Sequence, residues 1–237
     1  MPELGVNIDH IATLRQARME NFPDPIKVAM ICEKAGADSI VCHLRQDRRH
    51  INDKDLVLLK QSVKTRLNLE MSTADEIVKI ALKVSPDQAT LVPENRQELT
   101  TEGGLDVIKH KRKIIRVISQ LKQKDISINL FIDPKKSQIK ASKEVGADYI
   151  ELHTGGYANA STKTLRLKEL KRIKEAVSYG KQIGIGVNAG HGLDYENVSN
   201  IASIPNINEL NIGFSIIAAS VFVGIGDAVK QMKKVIR

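Results

Sequence analysis

Short apolar runs alternate along the chain with longer stretches whose apolar residues recur at helical spacing. The short runs predict strands near Leu4–Asp9, Ser39–His43, Leu67–Glu70, Ala89–Pro93, Ser127–Asp133, Tyr149–His153, Gln182–Asn188 and Glu209–Gly213. A helical pattern follows each of these eight segments. Parallel neighbours need a crossover about as long as a helix, so the alternation predicts a parallel sheet. Eight repeats point to a closed (β/α)8 barrel. The length of 237 residues suits one such barrel, typically ~250 residues. No low-complexity or Pro/Ser-rich tract divides the chain, so residues 1–237 read as a single domain.

Punctuation supports the alternation. Asp24-Pro25 reads as a helix cap with proline at the first helical position, and Asp133-Pro134 repeats it. Thr73-Ala74-Asp75-Glu76 reads as a capping box. Gly36, Gly146 and Gly180 stand where helices are expected to stop. The stretch Gly36–His43 also echoes Gly146–His153, each reading as helix stop, turn, strand and a terminal histidine.

Strand side chains alternate between faces, so the apolar positions identify their opposites. Val6, Ile8, Leu67, Leu69, Leu130, Ile132, Ile150, Leu152, Ile183, Ile185, Val187, Leu210 and Ile212 face the helices. Asn7, Asp9, Asn68, Glu70, Asn129, Phe131, Asp133, Glu151, His153, Gly184, Gly186, Asn188, Glu209, Asn211 and Gly213 then face the barrel axis. An ordinary barrel interior is filled by Val, Ile and Leu. Polar groups there are costly unless paired or hydrated, and these cluster toward the carboxyl ends, where this fold keeps its chemistry.

Composition narrows the class. Aromatic residues are only 3% of the chain, there is no Trp, and the net charge is +8. The basic runs, Lys109–Lys113 with Arg116 and Lys163–Lys174, alternate with Ile, Leu or Val at helical spacing and read as wet helix faces. With few aromatics to stack bases, a nucleic-acid-binding module is the rival of another class. The longest apolar runs are too short for a membrane span, and the first residues show no signal-peptide pattern. The two cysteines, Cys32 and Cys42, lack metal-type spacing and read as buried residues of a reducing cytoplasm.

The candidate chemistry gathers at strand ends. His10, His43, His153 and His191 fall at or just past them, and histidine exchanges protons near neutrality. Glu70 and Glu151 are inward carboxylates, whose burial suits them to proton transfer. Arg18 and the run Arg45-Gln46-Asp47-Arg48-Arg49-His50 offer phosphate clamps. Gly103-Gly104, Gly190-His191-Gly192 and Gly213 offer backbone N–H groups for the same purpose. No lysine lies inside a predicted strand, so an amine for carbonyl chemistry must come from substrate. Another phosphosugar isomerase or epimerase on the same fold is the nearest rival. A metal-dependent hydrolase fits less well, because Asp9-His10 lacks the paired-histidine spacing on one strand.

These residues carry a resemblance. The stretches 5–15, 43–51, Asn68-Leu69-Glu70-Met71, Leu91-Val92-Pro93-Glu94, 100–106, Glu151–Gly155 and Val187–Leu193 resemble the pyridoxine 5′-phosphate synthase family over nearly the whole chain. The resemblance implies a TIM barrel with added helices and a cytoplasmic homo-octamer. It implies condensation of 1-deoxy-D-xylulose 5-phosphate with 3-amino-2-oxopropyl phosphate, giving pyridoxine 5′-phosphate, phosphate and water with no metal or cofactor. By position it makes His43 and Glu70 general bases, His191 the general acid and Glu151 an aid to the transition state. Asp9, His10, Arg45, His50 and Thr100 match contacts to the deoxyxylulose phosphate, and Asn7, Arg18, Gly192, Gly213 and Phe214 match the aminoketone phosphate site. Phe214 stands where members often carry histidine.

Overall fold

The computed structural model describes residues 1–94 and 103–237. The order is β1 (Glu3–Asn7), α1 (Asp9–Gln16), α2 (Pro25–Lys34), β2 (Ser39–Leu44), α3 (Asp53–Ser62), β3 (Arg66–Met71), α4 (Asp75–Val84), β4 (Gln88–Leu91), α5 (Lys111–Lys122) and β5 (Ser127–Ile132). Then come α6 (Lys136–Glu144), β6 (Tyr149–His153), α7 (Gly155–Ala158), α8 (Lys163–Gln182), β7 (Gly186–Gly190), α9 (Val198–Ala202), β8 (Glu209–Ile212), α10 (Phe214–Val223) and α11 (Ile225–Val235). The strands are parallel, run in sequence order and close into a barrel where Leu4 of β1 pairs with Leu210 of β8. Among the described residues no helix is long and apolar enough to cross a membrane.

The alternation places the core. Leu4, Val6, Ile40, Cys42, Leu67, Leu69, Leu130, Ile132, Ile150 and Leu152 are all fully buried and belong to one apolar cluster. The barrel axis is polar instead: Ser39, Asn68, Gln88, Thr90, Asn129, Glu151, Asn188, Glu209 and Asn211 are buried there or at its ends. At the amino-terminal mouth Glu209 accepts from Ser39 Oγ (2.9 Å) and from Arg66 Nη2 (2.6 Å). The basic helices present lysines and arginines to solvent, some paired with carboxylates, as in Lys111–Glu144 and Arg116–Asp75 at 2.7 Å.

The aspartate shared by residues 36–43 and 146–153 makes a two-point clamp, and this clamp occurs four times among the described residues. Asp38 accepts the N–H of Leu4 (2.7 Å) and donates its own backbone N–H to the Leu4 carbonyl (2.9 Å). Asp148 does the same to Ile128 (2.9 and 3.0 Å), and Asp87 to Leu67 (2.9 and 3.1 Å). Asn208 repeats it on Val187 (3.0 and 2.7 Å). Each residue entering an even-numbered strand thus clamps the start of the odd-numbered strand before it.

Several local expectations are corrected. The first strand ends at Asn7, and Asp9 opens α1 because Ile8 (φ −103°, ψ 7°) leaves the extended region. The seventh strand starts at Gly186, not Gln182; Gln182 ends α8, and Gly184 turns with φ +70°. Gly180 therefore lies inside α8. Its lack of a side chain is a packing requirement, since a Cβ there would stand 2.6 Å from Val187 Cγ2. Gly36 and Gly146, at φ +105° and +87°, do stop α2 and α6. Asp24 caps α2 through Ile26 N (2.9 Å) with Pro25 at its first turn. The Asp133-Pro134 pair does not cap α6, whose N-cap is Lys135. The Thr73 capping box is absent as well, because Ala74 is the N-cap of α4 and no side chain bonds there. The reciprocal box forms instead at α3, between Asn52 and Asp55.

Candidate active site

A cavity of about 870 Å³ opens at the carboxyl ends of the strands. Asn7, Asp9, His10, Arg45 and His50 line it together with His43, Glu70 and Glu151 of the strands and with His191, Gly192, Gly213 and Phe214 after β7 and β8. Of the sequence candidates, Arg18 stands exposed in the turn after α1 and is not among the lining residues. Thr100 lies outside the described residues.

The strand residues meet by register. His43 of β2 pairs beside Glu70 of β3, and its Nδ1 lies 3.9 Å from Glu70 Oε2. Asp9 fixes the neighbouring backbone: its Oδ1 accepts from His43 N (2.8 Å), while Asn7 Nδ2 donates to Oδ2 (3.1 Å). Burial, followed by the charge of Arg45, pulls the His43 imidazole well below its ordinary pKa. It is therefore neutral near pH 7 and able to accept a proton. Burial, then the charges of Glu151 and Asp9, push the Glu70 carboxyl well above the usual range.

Glu151 of β6 lines the same cavity. Asn211 Nδ2 donates to its Oε2 at 2.7 Å and Asn129 Nδ2 at 3.3 Å. Asn129 also donates to Thr90 Oγ1 (3.0 Å), which donates to Asn68 Oδ1 (2.8 Å). Burial pushes Glu151 up to about 7, with the Asn211 hydrogen bond opposing the rise. Carboxyls in this range exchange protons at neutral pH.

The basic run after β2 divides by role. Arg48 is bonded to Asp53 (2.9 Å), the Gln46 carbonyl (2.6 Å) and Glu76, and Arg49 to Asp47 (2.7 Å). Arg45 is different: it is buried, lines the cavity, and its Nη1 has no hydrogen-bond partner among the described residues. A buried unpaired N–H is expensive, so this guanidinium is poised for an anion. His50 is held in place from below. Arg15 Nη2 donates to the His50 carbonyl (3.0 Å), and Arg15 makes a buried two-point pair with Asp55 (2.8 and 2.7 Å).

In the loop after β7 His191 adopts φ +81°, and Gly192 the same value. Thr154 Oγ1 lies 2.7 Å from both the Gly190 and His191 carbonyls, its one proton serving to pin the loop. No side chain fits at Gly190, where a Cβ would lie 2.3 Å from Glu151 Oε1. Burial, then His153, lower His191 to about 4. His10 packs edge-on to Phe214 with ring centroids 5.3 Å apart, and its buried Nδ1 has no hydrogen-bond partner among the described residues. Gly213 precedes α10, so the amino end of that helix opens beside the cavity and favours negative charge.

Sequence reading singled out neither the Arg15–Asp55 pair nor the cavity residues Thr13, Asn159, Asp194 and Ser215. Nothing local marks Arg15, because its partner is forty residues away (|i−j| = 40). Asp9, His43 and Glu70 bring one ligand atom each within 4.8 Å of one another, the described residues' candidate metal group.

Fold and site together define a (β/α)8-barrel enzyme equipped for acid–base work on anionic substrates. The chain belongs to the family described as Pyridoxal phosphate biosynthesis protein PdxJ, whose sequence profile matches residues 4–237. It is 54% identical over 237 residues to the pyridoxine 5′-phosphate synthase of Geotalea daltonii, covering 100% of this chain and 99% of that one. To the enzyme of the same name from Prochlorococcus marinus it is 52% identical over 236 residues, covering 100% and 97%. Solved structures share the fold at low identity. 3-Keto-L-gulonate-6-phosphate decarboxylase from Vibrio cholerae matches with TM-score 0.68, 14% identity and coverage of 99% and 97%. Phosphoribosylanthranilate isomerase from Thermotoga maritima matches with TM-score 0.60, 13% identity and coverage of 100% and 98%.

Proposed function

We propose that this chain is a pyridoxine 5′-phosphate synthase. It condenses 3-amino-2-oxopropyl phosphate with 1-deoxy-D-xylulose 5-phosphate to give pyridoxine 5′-phosphate, phosphate and water. One observation carries the reading beyond family membership: a neutral imidazole, two proton-holding carboxyls and a second imidazole share one cavity whose wall holds the unmatched Arg45.

In this reading Arg45, His50, Asp9 and His10 hold the deoxyxylulose phosphate, with Thr100. Asn7, Gly192, Gly213 and Phe214 hold the aminoketone phosphate; Arg18, exposed outside the lining, takes no part in this reading. Only backbone N–H binding is open to Phe214. The substrate amine attacks the ketone, which explains why no strand lysine is needed. His43 removes a proton as the carbon skeleton enolises and closes, Glu70 does so in its ionised form, after giving up the proton that burial makes it hold, and Glu151 stabilises the charge that develops beside it. His191 protonates a leaving oxygen. Burial and His153 lower its pKa, and a phosphate dianion beside it favours the imidazolium and raises it.

The chemistry runs without metal. Both oxygens of Asp9 already accept hydrogen bonds, and Glu70 is held toward its protonated form, so the Asp9–His43–Glu70 group is poorly prepared for a cation. Residues 1–237 act as one catalytic domain in the cytoplasm, on small phosphorylated molecules rather than nucleic acid. Leu14, Met19, Phe22, Val221 and Phe222 are large apolar side chains left exposed, which supports association of copies of this chain, read here as the family's homo-octamer. Light scattering of the pure protein tests that state.

The deciding experiment mixes both substrates with pure protein in a chelator and looks for pyridoxine 5′-phosphate. Product formation supports the reading; turnover of either substrate alone would make the protein an isomerase or epimerase. His191→Asn should bind both substrates normally while product formation falls steeply. If binding falls in step, His191 holds the phosphate loop instead.

A further inference from the structure

One imidazole at the carboxyl face takes no part in the reaction described so far. His153 ends β6 behind His191, outside the cavity lining, with ring centroids 5.0 Å apart in an edge-to-face contact. Phe131 of β5 packs against it at 5.2 Å. Gly155 leaves room for it: a Cβ there would stand 2.5 Å from His153 Nε2. Nδ1 faces the other way, 3.6 Å from Asp133 Oδ1. That carboxylate is itself fixed, by Gly104 N–H (3.1 Å) and by Lys135 Nζ (3.0 Å). Exposure falls along the row, from 33% for the Asp133 side chain to 13% for His153, before the cavity is reached at His191.

We propose that Asp133 and His153 form a proton relay that reloads His191 from solvent. The proposal rests on His191 being the general acid. Condensation with loss of water and phosphate calls for more than one proton delivery per turnover. With substrates in place the front of His191 faces them, so its proton must return from behind. In the step, an N–H bond of protonated His153 breaks and the proton passes, directly or through one water, to the basic ring nitrogen of His191. His153 then takes a proton from water on the Asp133 side. No electrons are transferred, and Asp133 balances the charge while His153 carries it.

The electrostatics match this order. Burial lowers His153, and Asp133, whose far oxygen carries Lys135, opposes that fall. Burial lowers His191, and His153 lowers it further, so protons run downhill away from His153 only when substrate charge supports His191.

His153→Gln and Asp133→Asn test the relay, since both keep shape and hydrogen bonding. His153→Gln should lower kcat toward the ~10²-fold loss of a missing proton-transfer group, with KM near its native value. Imidazole added to the buffer should restore part of that kcat. Asp133→Asn should give a smaller loss, restored the same way. In substrate-free protein, NMR titration should show His191 gaining its proton at higher pH in His153→Gln than in the native protein. Unchanged kcat in both variants overturns the relay, as does a joint loss of kcat and affinity that imidazole does not restore. If the native protein makes no product from the two substrates, the assigned reaction fails instead. The His191 titration is read without turnover, and its failure to rise in His153→Gln overturns the contact on which the relay depends.

Discussion

Asn211 Nδ2 donates a 2.7 Å hydrogen bond to Oε2 of Glu151, across the barrel from β8 to β6. It is the largest influence opposing the burial that lifts this carboxyl to about 7. Asn211→Ala should therefore raise Glu151 further. The limb of the pH–rate profile that belongs to Glu151 should move to higher pH, with KM for both substrates little changed. A limb that stays in place would mean that Glu151 is not the group being titrated.

The same lifted carboxyl makes the fold less stable at high pH. A folded pKa of about 7 lies above the ordinary carboxylate value of 4.5, so the folded state binds more protons between them. Stability is greatest below about pH 4.5 for this group and is lost as pH rises through about 7. At about 1.4 kcal/mol per unit the loss is on the order of 3 kcal/mol. Glu151→Gln still accepts from Asn211 but cannot ionise. Urea unfolding should find it more stable than the native chain at pH 8 and nearly equal at pH 4.5. Parallel stability curves would remove the argument.

Glu70→Gln should fold normally and lose ~10²–10⁴-fold in turnover, because the amide keeps the shape but takes no proton. Retention of most activity in steady-state assays would make Glu70 structural.

Arg45→Ala should weaken binding of the deoxyxylulose phosphate by about 1.5–3 kcal/mol, the worth of a charge-assisted hydrogen bond. Inorganic phosphate should raise the melting temperature of the native protein more than that of the variant. Equal shifts and unchanged kcat/KM would place the anion elsewhere.

Asp55→Ala leaves Arg15 buried and uncompensated, which should cost about 3–5 kcal/mol in chemical unfolding. The double variant Arg15→Met with Asp55→Leu should recover much of that stability. It should still lose substrate affinity, because the His50 carbonyl loses its 3.0 Å tether. A double variant with native KM would confine the pair to stability.

The eight strands and the polar axis were legible because alternation needs only neighbouring residues. Boundaries failed where an apolar pattern ran on past a change of backbone. Ile8 continues the strand pattern although its ψ of 7° has left it, and Ile183 and Ile185 mimic a strand across the Gly184 turn. Strand-end position marked His43 and His191 as site candidates and inward alternation marked Glu70 and Glu151, and all four line the cavity. Which arginine stays unmatched was not legible. It depends on Asp53, Glu76 and Asp47 occupying Arg48 and Arg49, and only folding shows Glu76 to be near.

The four two-point clamps made by Asp38, Asp87, Asp148 and Asn208 join strands in pairs: first with second, third with fourth, fifth with sixth, seventh with eighth. The wall is therefore made of four doubled staves rather than eight equal ones. Among the described residues the joints between staves carry no such clamp, but there the ladders are long, six residues for β2–β3 and five for β6–β7 against three for β1–β2 and two for β7–β8. The amides of Leu4, Leu67, Ile128 and Val187, each shielded inside a stave, should then be slower to exchange with solvent than their places at the strand starts would suggest.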